Sequence, residues 1–200
     1  MIDDLDKTLD ELLKRELPQT LLDHIVITFA TPDSEFPPTG VTLPALNIFL
    51  YDIRENTELR SPEWIVSRDA DGVTTRRRAP VRVDCSYLVT AWPSPTIPNP
   101  PHDEHQILGA VMKVLLRHRT IPEALLQGSL QGQDLPLPTV ALHSSELQSW
   151  GDFWQAIGSK PKVALNYKIT ISMDAERAVE TELPVIEKVI KLAPDLEVVA

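Results

Sequence analysis

The stretch from Ala79 to Trp92, APVRVDCSYLVTAW, constrains the chain more than any other. Val81, Val83, Cys85, Tyr87, Val89 and Ala91 alternate with Arg82, Asp84, Ser86 and Thr90. Only an extended chain, which sends successive side chains to opposite faces, separates these two sets. A strand with one buried face follows. Leu88 and Trp92 interrupt the polar set, which implies a second face part covered by a helix or a neighbouring subunit. Pro80 precedes the strand, and Pro93, Pro95, Pro98, Pro100 and Pro101 follow it. Proline cannot donate to a ladder, so the strand starts and stops sharply.

A second clean alternation places Val163, Leu165, Tyr167, Ile169, Ile171 and Met173 against Ala164, Asn166, Lys168, Thr170 and Ser172. It is a natural neighbour for the first. Leu43 to Ile53 is apolar on both sides and predicts a central strand buried on both faces, and Ile25 to Phe29 a short one. Helical spacing appears in Ile2, Leu5, Leu9, Leu12, Leu13 and Leu17, closed by Pro18. It appears again in Ile107, Leu108, Val111, Met112, Leu115 and Leu116, with the proline run before them excluding helix until about Asp103. A third helix is expected from Ser144 or Ser145, holding Leu147, Trp150, Phe153, Trp154 and Ile157 and stopping at Gly158. Pro122 opens and Gly128 closes a short helical turn, and a short strand is expected at Val140 to Leu142. The expected fold class is α+β: a twisted, mostly antiparallel sheet with strands near Ile25, Leu46, Val83 and Ile169, flanked by helices. Residues 1–173 are read as a single domain and 174–200 as an extended C-terminal arm. In that arm Pro184 and Pro194 bracket an apolar stripe of Val185, Ile186, Val189 and Ile190 that needs a surface elsewhere.

Trp64 to Arg68, the turn residues Asp69 to Gly72 and Val73 to Arg78 predict a β-hairpin, polar on both arms and projecting from the core. Its second arm ends in Arg76, Arg77 and Arg78. On a strand one of the three must oppose the other two. They either guard an edge against wrong pairing or dock an acidic partner surface. The chain carries a formal net charge of -10, which makes a phosphate backbone or an anionic membrane a poor partner and a local basic arm conspicuous.

Candidate chemistry is sparse. His102, Asp103, Glu104 and His105 are the nearest approach to a metal cluster, but the zinc-peptidase helix needs histidines four apart, and no third ligand is evident. A metal-dependent hydrolase built on His102 and His105 remains the alternative from another class. The single cysteine, Cys85, falls on an apolar strand face that disfavours a thiolate, and no phosphate-cradling glycine loop occurs among 7 glycines. No cofactor is expected. The acidic start MIDDLDKTLDEL lacks the form of a secretion signal, and no stretch is apolar for long enough to span a bilayer. The expectation is a cytoplasmic product without direct membrane insertion.

Several segments together resemble a known family. LPALNIFLYDIRENTELR (Leu43 to Arg60), RAPVRVDCSYLVTAWP (Arg78 to Pro93), EHQILGAVMKVLLRH (Glu104 to His118), IPEALLQGSL (Ile121 to Leu130) and ALNYKITISM are similar, in order and spacing, to the N-terminal domain of cap proteins. These are the tail terminators of extracellular contractile injection systems of the antifeeding-prophage and virulence-cassette type. The resemblance implies a structural protein, not an enzyme, that assembles as a hexameric ring and closes the inner tube and contractile sheath. Its partners would be its own copies and the sheath and inner-tube proteins, within a phage-tail-like particle that is assembled in the cytoplasm. An adaptor for another particle component or for cargo is a further alternative. Ring closure needs two different patches per subunit. Candidates are Arg76, Arg77 and Arg78 against acidic segments such as Asp3 to Glu11, the aromatics Trp150 and Trp154, and Val185, Ile186, Val189 and Ile190 of the arm.

Overall fold

A computed structural model describes residues 1–68, 74–143, 149–175 and, as backbone, 179–182. Two compact units divide the chain: Met1–Arg60 with Val81–Met173, and Ser61–Pro80 with Asp174–Ala200.

The first unit is a five-stranded mixed sheet with helices. Helix α1 (Ile2–Glu16) forms because its leucines fall on one face and its ends suit the helix dipole, with Asp3 and Asp4 in the first turn and Lys14 and Arg15 in the last. Lys7 reaches Asp3 and Lys14 reaches Asp10 four residues away, each at 2.6 Å. The chain turns extended at Leu17, before Pro18. Leu5, Leu9, Leu12 and Leu13 are buried, each contributing about 1.5–3 kcal/mol relative to exposure. A single turn of helix, α2 (Gln19–Leu22), leads into β1 (Val26–Thr28).

The sheet order is β1, β2 (Ala45–Glu55), β5 (Val81–Trp92), β7 (Leu165–Met173) and β6 (Thr139–Ala141). All pairs are antiparallel except β1 with β2. The strand singled out by its alternation is the middle one, and β7 is its neighbour, with Tyr87 opposite Tyr167 and Cys85 opposite Ile169. Leu46, Ile48, Cys85, Tyr87, Val89, Tyr167, Ile169 and Ile171 share one buried cluster with the leucines of α1 and with Ile107, Leu108, Val111, Val114 and Leu115 of α3 (Pro100–Arg117). The second face of β5 is covered as well: Leu88 and Thr90 are fully buried. Double burial of β2 holds only over Ala45–Ile48; past a register shift between Leu50 and Asp52 the strand outruns the core, and Ile53 is exposed.

Three boundaries differ from expectation. Helix α3 begins at Pro100, not near Asp103, because its first positions need no hydrogen-bonded N–H and accept proline. Gly128 does not close the turn after Pro122; it opens a second one, Gly128–Leu130, following Glu123–Leu125. Its φ of +53 and the Asp4 carboxylate, which occupies the space where a Cβ would stand, explain the glycine. Helix α4 (Trp150–Ala156) is shorter than the expected one, capped by the Ser149 hydroxyl accepting from the Asp152 N–H; residues 144–148, where the earlier start was expected, lie outside the described residues.

The second unit is a three-stranded antiparallel sheet in the order β3 (Trp64–Arg68), β4 (Thr74–Arg78), β8 (Val179–Glu182). The pairing of the two arms is as expected; the turn residues Asp69 to Gly72 fall outside the described residues. Of the stretch read as an arm, Val179–Glu182 pairs with β4 of its own chain, and Val185, Ile186, Val189 and Ile190 lie outside the described residues.

Candidate assembly surface

In the hairpin, Trp64 stands opposite Arg78, Val66 opposite Arg76 and Arg68 opposite Thr74. Alternation therefore puts Trp64, Val66, Arg68, Arg76 and Arg78 on one face. The guanidinium carbon of Arg76 lies 4.2 Å from the Trp64 ring centroid and that of Arg78 4.7 Å, so one indole is shared by two cations. Arg77 takes the opposite face, where Nη1 donates to Asp174 Oδ1 at 3.1 Å. The split of the three arginines is thus two against one. The expectation of a hairpin polar on both arms is wrong for β3: Trp64 is 37% and Val66 61% exposed. Sequence reading missed both residues, although their register against Arg78 and Arg76 follows from the hairpin itself.

The acidic helix proposed as counterpart is largely committed within its own unit. Asp3 and Asp10 are engaged by lysines, as above. Asp4 accepts from the backbone N–H and the hydroxyl of Ser129 at 3.1 and 2.7 Å, and these bonds, with the N-terminal amine, hold its carboxyl far below the usual range. Asp6 accepts from the Tyr87 hydroxyl at 2.9 Å; burial raises its pKa against the effect of that bond.

The outer aromatics divide between surface and interior. Trp150 is half-buried, whereas Trp154 is 3% exposed and packs inside its own subunit. Phe153 lies edge-on to both, at centroid distances of 6.0 and 5.4 Å, and to Tyr51 at 6.4 Å. A cleft of about 490 Å³ is lined by Phe36, Trp92, Gly158, Lys160 and Lys162, among others. The Lys162 ammonium sits 4.7 Å from the Trp92 centroid and donates to Glu104 at 3.1 Å.

Candidate chemistry is dispersed. His102 and His105 are exposed on α3, and the glutamate between them is taken by Lys162. Among the described residues no group of three or more His, Cys, Asp or Glu side chains stands close enough to hold a metal ion. The Cys85 thiol is pushed up to about 11, chiefly by burial, and stays protonated at neutral pH. Behind the second sheet face Asp84 keeps its charge: burial pushes its pKa up, but bonds from the Thr170 hydroxyl (2.6 Å) and the Asn56 amide, with the Lys168 ammonium at 3.3 Å, hold it below the ordinary value. Arg82, 6% exposed, donates to the Ser172 hydroxyl and to the Pro136 carbonyl. These are structural ties within the sheet.

Residues 4–188 match the Pvc16 N-terminal domain. The chain belongs to that family. Two solved structures share its fold. One is the sheath/tube terminator of an extracellular contractile injection system, PVC, in its extended state. At 26% identity and a TM-score of 0.68, the match covers 98% of this chain and 65% of that one. The other is the tube-terminating cap of the anti-feeding prophage, at 26% identity and a TM-score of 0.67 over 96% of this chain and 61% of that one. This Pvc16 N-terminal domain chain therefore spans under two thirds of the length of either. No curated protein matches it. Among the described residues no helix is long and apolar enough to cross a membrane.

Proposed function

We propose that the chain is a structural cap subunit, a tail terminator, that closes the inner tube and contractile sheath of a phage-tail-like contractile injection system. The supporting observation is the agreement of family and fold along nearly the whole chain, residues 4–188, with relatives that are themselves a tube cap and a sheath/tube terminator. In this reading the protein is not an enzyme and needs no cofactor. It works by contacts, as a ring of identical copies, six by resemblance, assembled in the cytoplasm and carried in the particle. A heterologous ring interface presents two different patches per subunit. Arg76 and Arg78 on one face of the hairpin, with Arg77 on the other, supply charge, and Trp150, supported through Phe153 by Trp154, supplies an aromatic patch. Val185, Ile186, Val189 and Ile190 belong to the stretch, within residues 174–200, that reaches a neighbouring cap or sheath subunit.

The test is electron microscopy of particles carrying a tagged subunit, together with particles from cells lacking it. Density for the tag at the end away from the baseplate, and tubes of uneven length without the subunit, are expected. A tag at the baseplate, or uniform particles in the deletion, would overturn the proposal.

A further inference from the structure

Helix α3 presents a second seam. Its buried residues are Ile107, Leu108, Val111, Val114 and Leu115. On the opposite side His102, His105, Gly109, Met112 and Leu116 recur in steps of three and four residues, the spacing by which helices pack on one another. Within the subunit nothing accounts for the glycine. Gly109 sits in the helix interior without a positive φ, and no atom lies within 4 Å of where its Cβ would stand. Relative to alanine it weakens the helix, and it serves neither a turn nor a close contact of its own fold. Leu116, two turns further on, is 49% exposed, and Met112 is half-buried. The charge along the seam has one sign: from His105 to Arg119 no acidic residue occurs, in a chain of net charge -10. Arg117 is taken by Glu16. Lys113, one turn from Gly109, is exposed and has no hydrogen bond or ion pair among the described residues. The undescribed residues of this unit, 144–148, follow His143, whose carbonyl accepts from the Asn166 amide; alternation turns Asn166 away from Tyr167, to the sheet face that α3 does not cover.

We propose that this outer face of α3 is the docking surface for an acidic amphipathic helix of a partner protein, which passes closest at Gly109. With no side chain at the crossing, the partner's backbone comes nearer than the roughly 8–10 Å usual between helix axes. Met112 and Leu116 supply apolar cover, and a carboxylate of the partner meets Lys113. Charge selects the occupant. The first helix of a second copy fits less well, because its exposed residues include Lys7, Lys14 and Arg15, which would oppose Lys113. Docking offsets the weakness that Gly109 leaves in the free helix. The inference goes beyond the assembly reading above and rests on it only for the particle in which the partner is met.

The experiment places a photo-crosslinking benzophenone side chain at Gln106, exposed beside the seam, in the full chain within the producing cells, with Glu11 on α1 as the control position. The expected product is a crosslink from Gln106, and not from Glu11, to a segment of another protein whose apolar residues recur in steps of three and four with carboxylates on the flank. Gly109→Leu, whose added side chain fills the crossing, lowers the yield by about tenfold, the scale of an overpacked contact. Lys113→Glu lowers it too. Gly109→Ala raises the melting temperature of the purified chain by about 2–4 °C, the usual worth of removing a glycine from a helix interior. Stability gained at Gly109 together with crosslinking lost there is what a docking glycine gives and a structural one does not. A lower melting temperature in Gly109→Ala, a crosslink to a second copy or to a segment without the acidic helical pattern, a yield indifferent to Gly109→Leu, or no crosslink at all overturns the inference. The position of the tagged subunit in electron micrographs is read separately. The expected crosslink with the tag away from the tube end counts against the cap reading alone, and a tag at that end without the crosslink counts against this one alone.

Discussion

Replacing Tyr87 by phenylalanine isolates a single tie between the central strand and the first helix. The Tyr87 ring is fully buried beside Tyr167, and phenylalanine keeps that packing, so the change removes little beyond the hydroxyl that donates to Asp6 at 2.9 Å. A hydrogen bond to a charged acceptor is worth about 1.5–3 kcal/mol, and Asp6 is only part buried. Discounted for solvent, the expected loss is about 1 kcal/mol at pH 7.5. The pH dependence follows from Asp6. Burial raises its folded pKa above that of an unfolded aspartate, although the Tyr87 bond pulls the other way. A carboxyl so raised favours the fold while protonated; that contribution is fully present below the unfolded pKa, about 3.9, and is lost as pH rises through the folded value. Tyr87→Phe removes a lowering influence, so the folded pKa rises further and the loss on raising pH becomes larger. At pH 3, below the unfolded value and further below the raised folded one, the carboxyl is chiefly neutral, and the cost of the substitution shrinks to about 0.5 kcal/mol, the worth of a neutral bond. Urea unfolding of both proteins at the two pH values reads this difference, and the repulsion of a chain of net charge -10 cancels in the comparison. Carbon-detected titration of Asp6 reads the two folded pKa values directly. An equal cost at both pH values, or a lower Asp6 pKa in the variant, would refute the reasoning.

Three further outcomes are expected. Asn47 is fully buried on β2, and neither end of its amide has a hydrogen-bond partner among the described residues; Asn47→Leu should raise stability by about 1–2 kcal/mol in chemical denaturation, the range set by burying an unsatisfied amide. Reversing Arg76, Arg77 and Arg78 together to glutamate should abolish or weaken ring formation in light scattering while the circular dichroism spectrum stays native; rings of unchanged yield would return the cluster to edge protection. Removing residues 183–200 keeps β8 and should leave a folded protein that no longer terminates particles at uniform length, read by electron microscopy; a variant that unfolds would place that stretch in the subunit's own core.

How much of the site could be read beforehand depended on the reach of each interaction. The division of Arg76, Arg77 and Arg78 between two faces needs only the period of a strand. The partners on those faces, Trp64 and Asp174, lie across a hairpin and at a distant chain position. Trp64 carries no local signal of exposure in WIVSR; its exposure comes from standing at the edge of a small sheet. Trp150 and Trp154 stand in one helical stripe of the sequence and are expected together at the ring interface. Packing separated them, closing Trp154 inside and leaving Trp150 part exposed.

From the chain alone came whatever depends on neighbours a few residues away. Alternation at Val81–Trp92 and Leu165–Met173, the leucine stripe of α1 and the α+β class all rest on local periodicity, which burial on one face imposes directly. Family membership was legible too, because the order and spacing of several segments carry far more information than any one motif. Tertiary structure alone decided the sheet order β1-β2-β5-β7-β6, the parallel pairing of β1, and the gathering of β8 onto the hairpin. Strand neighbours are chosen by register and by which faces must be covered, and a sequence states neither. It also decided the boundaries that prolines and glycines seemed to set: Pro100 could enter a helix because its first turn has N–H groups to spare, and Gly128 could open a turn because the Asp4 carboxylate fills the space a side chain would need.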